Sequence, residues 1–173
     1  MLMIDSSNVV IAQTTDPAYV SLPGYVTIES PDDFEFEQAR EWAWNGTALV
    51  RVPALVLARN KAQRLSELEA YRYEKETAGI TVNGALIRTD EYSQGKINGA
   101  WSTAQINPAV LIDFKGVNGW VKLNAAEITA IAEAVSIHVQ SCFSTERIHS
   151  DAIAALETSE AVTAYDLNTG WPR

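Results

Sequence analysis

Over residues 1–53 apolar and polar positions alternate in short runs, broken by the turn formers Asp16-Pro17, Pro23-Gly24 and Pro31-Asp32-Asp33. That punctuation predicts short strands. The clearest pair is Glu41 to Trp44 and Thr47 to Val52 around Asn45-Gly46, a hairpin signal. Successive strand residues point to opposite faces, so Trp42, Trp44, Leu49 and Arg51 share one face. A two-stranded ribbon is marginal alone in water, and this face must therefore pack on the rest of a small sheet or on another molecule.

After Pro53 the period changes. Leu55 to Ala78 contains neither Gly nor Pro and is dense in strong helix formers. Leu55, Ala58, Ala62, Leu65 and Leu68 form a stripe at helical spacing, while the later half is crowded with charge. These features predict a largely solvated helix joining two modules. Gly79 is placed to end it, Asn83-Gly84 to turn a hairpin between Ile80, Val82 and Leu86, Ile87, and Thr89 to cap the next helix. That next helix, Glu91 to Ala104, carries Gly95 and Gly99, which weaken it unless they serve close packing. Val110 to Phe114 and Trp120 to Leu123 predict a second hairpin through Gly116 to Gly119. Asn124 and Glu127 form a capping box before a long helix with Ile128, Ile131, Ala132, Val135, Val139, Cys142 and Phe143 on its core side. Ile148 to Leu156 continues or bends that helix, and Thr158 caps a last one ending near Asn168-Thr169-Gly170. The fold class is α+β: an N-terminal β module over 1–53, a connecting helix over 54–78 and a C-terminal module of hairpins and helices over 79–173.

Composition narrows the function. With 173 residues and 47% hydrophobic composition the chain can bury a real core. Its 13 basic against 22 acidic residues give a net charge of -9, which opposes nonspecific binding to nucleic acid or to an anionic membrane. Cys142 is the single cysteine, so an intrachain disulfide is impossible. The N-terminus lacks the pattern of a secretory signal and no long apolar run follows, an expectation of folding in the cytoplasm. Asn45-Gly46-Thr47 matches a glycosylation pattern, but between alternating apolar residues it reads as a turn.

Catalytic parts are few. His138 and His149, eleven residues apart on helical sequence, would lie roughly 16 Å apart along an unbroken axis, too far to share a metal. His138 and Cys142 stand four apart on one helix face; the cysteine, among Val135, Val139 and Phe143, reads as a small hydrophobe rather than a nucleophile. No phosphate-cradling glycine loop occurs. Asp32, Asp33, Glu35 and Glu37 cluster without calcium-loop spacing and read as a solvated loop. The five tryptophans are the unusual endowment. Trp101 and Trp120, in apolar surroundings, are expected in the core, whereas Trp42 and Trp44, with Tyr25 and Phe34, are the candidate partner-binding patch. No catalytic residue, metal site or cofactor is expected.

The segments EKETAGITVNGALIRTDEYSQGKINGA and WVKLNAAEITAIAEAVSIHVQSCFSTERIHSDAIAAL, with the terminal GWP, resemble the C-terminal domain of unknown function of tail-fibre-associated proteins from tailed phages and prophages. The N-terminal part is similar in style to tail fibre assembly proteins. The resemblance implies a non-catalytic assembly chaperone whose partner is the phage tail fibre protein, a trimer, rather than nucleic acid, membrane or a small-molecule substrate. It would work in the host cytoplasm during assembly. The alternative it leaves is a permanent tail component, a fibre adaptor or cap retained in the virion.

Overall fold

The computed structural model describes residues 1–8, 10–13, 24–32, 34–117 and 119–172; the turn signals at Asp16-Pro17 and Pro23, and Asp33 of the acidic cluster, lie outside them. The elements are mixed α and β as expected. The chain forms two compact units, Met1–Arg64 with Leu156–Ala164, and Leu65–Ala155 with Tyr165–Arg173. They divide within the first helix, α1 (Pro53–Thr77), whereas the change of period in the sequence placed boundaries at its two ends.

In the first unit β1 (Leu2–Ile4) lies between β2 (Val10–Gln13) and β3 (Val26–Ile28), antiparallel to both. A 3-10 helix over Phe36–Glu41 leads into the ribbon of β4 (Trp42–Trp44) and β5 (Leu49–Arg51), where Trp42 faces Arg51 and Trp44 faces Leu49. The ribbon is the one the alternation predicts. Its loop is longer, because Asn45 turns it through its side chain: Oδ1 accepts from the Thr47 and Ala48 amides at 2.9 and 2.8 Å, an Asx turn. Leu2, Ile4, Val10, Phe34, Trp42 and Leu49 close into one core. Beside it Glu41, 1% exposed, meets Arg51 at 2.5 Å and Arg59 at 2.6 Å, the pairing a buried carboxylate requires.

In the second unit β6 (Ile80–Val82) and β7 (Ala85–Ile87) pair around Asn83-Gly84. Both turn residues have positive φ, 51° and 81°, as a type I′ turn demands. Then follow α2 (Glu91–Ile106), the hairpin of β8 (Ile112–Gly116) and β9 (Gly119–Leu123), and α3 (Ala125–Ala155). The capping box forms as expected: the Glu127 amide donates to Asn124 Oδ1 at 3.0 Å and the Asn124 amide to Glu127 Oε2 at 2.9 Å. α3 runs 31 residues through Ile148 without a break. In the first unit α4 (Ser159–Ala164) is capped by Thr158, whose Oγ1 accepts from the Ala161 amide, and ends before the Asn168-Thr169-Gly170 expected to close it.

Ile87, Ile97, Ala104, Ile128, Ile131 and Val135 form the core of this unit. Two sequence expectations change here and one open alternative closes. Asp90, not Thr89, caps α2, accepting from the Ser93 amide. Thr89 is fully buried one residue earlier, donating to the Glu76 carbonyl and accepting from the Gly79 amide, so it satisfies the C-terminal end of α1 instead. Phe143 is 45% exposed and lies under the Arg72 guanidinium, 4.4 Å from its ring centre. A Cβ on Gly95 or Gly99 would meet nothing within 4 Å, so neither glycine serves close packing.

Candidate functional site

The charged end of α1 is less solvated than its composition predicts. Glu76 is buried, paired with Arg72 and accepting from the Gln94 amide group at 3.1 Å; Arg72 also reaches Glu146 at 3.1 Å. Burial holds the Glu146 carboxyl above the usual carboxylate range, with Arg72 opposing.

His138 adjoins this network. Its Nε2 lies 3.1 Å from the Lys75 carbonyl and 3.3 Å from that of Glu76. Carbonyl oxygens only accept, so Nε2 carries the proton and donates. Cys142 Sγ is 3.9 Å from the same nitrogen, which has no lone pair left to take a thiol proton. Burial, then the charge of Glu76, pushes the thiol above its ordinary value, the reverse of what an activated cysteine needs. His149, eleven residues on, belongs to a different cluster: Nε2 donates to the Thr169 carbonyl at 2.9 Å, Nδ1 accepts from the Tyr165 hydroxyl at 2.8 Å, and the ring stacks on Trp171. Both histidines are buried tethers. Among the described residues no group of three or more His, Cys, Asp or Glu side chains is placed to hold a metal, and no helix is long and apolar enough to cross a membrane.

The aromatic residues sort differently from the sequence expectation. Of the candidate partner-binding patch, Phe34 and Trp42 are buried in the core of the first unit, Trp44 packs partly buried against it, and Tyr25 is 37% exposed. Trp101 and Trp120, expected in the core, are 39% and 71% exposed. The reason for Trp120 is register: it faces Lys115 across the β8–β9 ladder, on the side opposite to Phe114 and Ile112, which pack on the core. The signal was present in the alternation, since Trp120 shares its face with Lys122.

Trp120 borders a groove of about 680 Å³ lying wholly in the second unit. Its floor is one face of α2, carrying Tyr92, Lys96, Ile97 and Ala100; its walls are β7 with Arg88 on one side and β8 on the other. Ile87, Ile97 and Phe114 give it an apolar base continuous with the core. Around the rim, Lys96 lies 4.3 Å from the ring centre of Tyr92 and Lys115 5.7 Å from that of Trp120. The lining carries Arg88, Lys96 and Lys115 against the single carboxylate Asp113, so a chain of net charge -9 turns a locally basic surface outward here. Asp113 is itself paired with Lys122 at 2.8 Å, and Arg88 with Asp90 at 2.9 Å. The groove is apolar at its base and rimmed by aromatic rings and cations, a lining of the kind that binding surfaces carry.

No curated protein and no solved structure matches the chain. A family model described as a domain of unknown function, DUF4376, matches residues 59–168. That span includes α2, both hairpins and the whole groove, and leaves out the ribbon bearing Trp42 and Trp44. Because the match extends over more than half of its residues, the chain belongs to the DUF4376 family.

Proposed function

We propose that this protein is a non-catalytic binding protein of phage tail-fibre assembly, working in the host cytoplasm and holding fibre subunits until they trimerise. The observation that carries the reading is the groove of the second unit, where Tyr92 and Trp120, each 71% exposed, stand over an apolar base. Large apolar rings left in water beside a concave surface suit contact with another protein. The resemblance of residues 74–100 and 120–156 to tail-fibre-associated proteins supplies the class of partner. Fibre chains must meet before their apolar faces and strand edges are covered, and a small acidic binder keeps such surfaces from pairing wrongly. Binding of this kind uses contact energy alone.

Co-expression with the cognate tail fibre chain tests it. Soluble trimeric fibre is expected in the presence of this protein and aggregated fibre in its absence. Equal yields of soluble trimer with and without it overturn the proposal. Mass spectrometry of purified particles then separates the transient chaperone from the fibre adaptor or cap, which would remain in the virion.

A further inference from the structure

Resting on the reading of this groove as the fibre-binding surface, the geometry points to its mode of capture: an extended acidic segment of the partner pairs as an added strand on the outer edge of β8. Three observations converge. First, both hairpins are two-stranded, and among the described residues β8 pairs only with β9 and β7 only with β6. The strands that wall the groove are β7 and β8; from β9 only Trp120 reaches it and from β6 nothing does. An unpaired edge is a ready template for another strand.

Second, the ladder fixes which groups that edge presents. Gly116 faces Gly119 across a two-residue loop, so this pair exchanges both backbone hydrogen bonds and the pairs beyond it alternate. Lys115, opposite Trp120, and Asp113, opposite Lys122, fall on the positions whose N–H and C=O point away from β9. An incoming strand finds them at the period of two that β-strand addition needs.

Third, side chains on the two faces of such a strand meet different surroundings. One face continues that of Ile112 and Phe114, which pack on the core; the other continues that of Lys115, and Arg88 and Lys96 in the groove's lining add to its positive charge. The complement is therefore a segment alternating apolar with acidic residues.

The probe is a short capped peptide alternating valine with glutamate, titrated into the full-length protein and followed by backbone-amide NMR. Binding is expected, with shifts centred on Asp113, Lys115 and Trp120. The same peptide with lysine in place of glutamate, and the same peptide N-methylated at alternate residues, are each expected to bind at least about tenfold more weakly. Asp113→Asn keeps the backbone N–H and removes the one carboxylate of the lining, and should bind the acidic peptide more tightly. Asp113→Pro deletes an outward N–H at an edge position where proline is tolerated, and should lose about tenfold or more against Asp113→Asn. No binding of the acidic probe up to about 1 mM, equal binding of the N-methylated or lysine peptides, or equal binding by the two Asp113 variants overturns the inference. Should Asp113→Pro not fold, the N-methylated peptide on the unaltered protein still decides. Co-expression separates the two readings. Fibre rescued equally by a folded Asp113→Pro variant removes the added strand and keeps the fibre partner. No rescue by the unaltered protein removes the partner itself.

Discussion

Phe34 meets Trp42 edge-on, with ring centres 5.7 Å apart and planes at 61°, and both rings belong to the first unit's core. An aromatic pair in this geometry contributes about 0.5–1.5 kcal/mol beyond the area it buries. Trp42→Ala should therefore cost about 3 kcal/mol or more in chemical denaturation, while Trp120→Ala, removing a ring that is 71% exposed, should leave stability within about 0.5 kcal/mol. The two variants discriminate core from surface. Fibre capture should fail in folded Trp120→Ala, and a Trp42→Ala protein as stable as the parent would contradict the burial described.

Gly95 and Gly99 lie on exposed positions of α2 with open space where a Cβ would stand, and neither has positive φ. Each then carries only the entropic cost of glycine in a helix. Gly99→Ala should raise stability by about 0.5–1 kcal/mol, read as an upward shift of the denaturation midpoint with unchanged slope. A loss of stability would mean that α2 needs the space.

Asp90 caps α2 through both oxygens, Oδ1 accepting from the Ser93 amide at 3.1 Å and Oδ2 from the Ser93 hydroxyl at 2.9 Å. The hydrogen bonds from the Ser93 side chain and amide hold its carboxyl below the usual aspartate range, with Arg88 adding to the effect. A carboxyl whose folded value is depressed contributes stability that is full above the unfolded value of 3.8 and is lost as pH falls through the folded value. Asp90→Ala should lower stability at neutral pH by removing the cap, and the difference between parent and variant should shrink in acid. A difference that stayed constant from neutral pH down to strong acid would remove the charged cap.

Much of this architecture is legible in the sequence because it rests on local rules. Asn83-Gly84, the Asn124 and Glu127 capping box and the uninterrupted run after Pro53 each act over a few residues, and each sits where expected. What depends on distant partners is not legible in the same way. Thr89 follows the capping rule in sequence, but the Glu76 carbonyl and Gly79 amide claim its hydroxyl, leaving the cap to Asp90. Trp42 and Trp44 share a face as the alternation says, yet only the fold brings Phe34 and the sheet residues Leu2 and Ile4 over it. The groove is harder still, since its walls are two hairpins separated by all of α2, and no pattern of a single element marks the space between them.

Cys142 should behave as a reporter of unfolding rather than as a reactive group. It is fully buried, its thiol is pushed up by burial and by the charge of Glu76, and the neighbouring His138 donates its Nε2 proton to the carbonyls of Lys75 and Glu76 rather than accepting one from sulfur. The thiolate is the species that reacts, so alkylation of the native protein requires α3 to open. Labelling by iodoacetamide should be slow in native buffer, and its rate should rise with added urea in parallel with the unfolding equilibrium. His138→Ala should accelerate labelling by destabilising the end of α1, in proportion to the stability lost; replacing a tether of this kind costs about 1–3 kcal/mol. Fast labelling of the fully folded protein, suppressed by His138→Ala at unchanged stability, would instead mark the pair as an activated thiol.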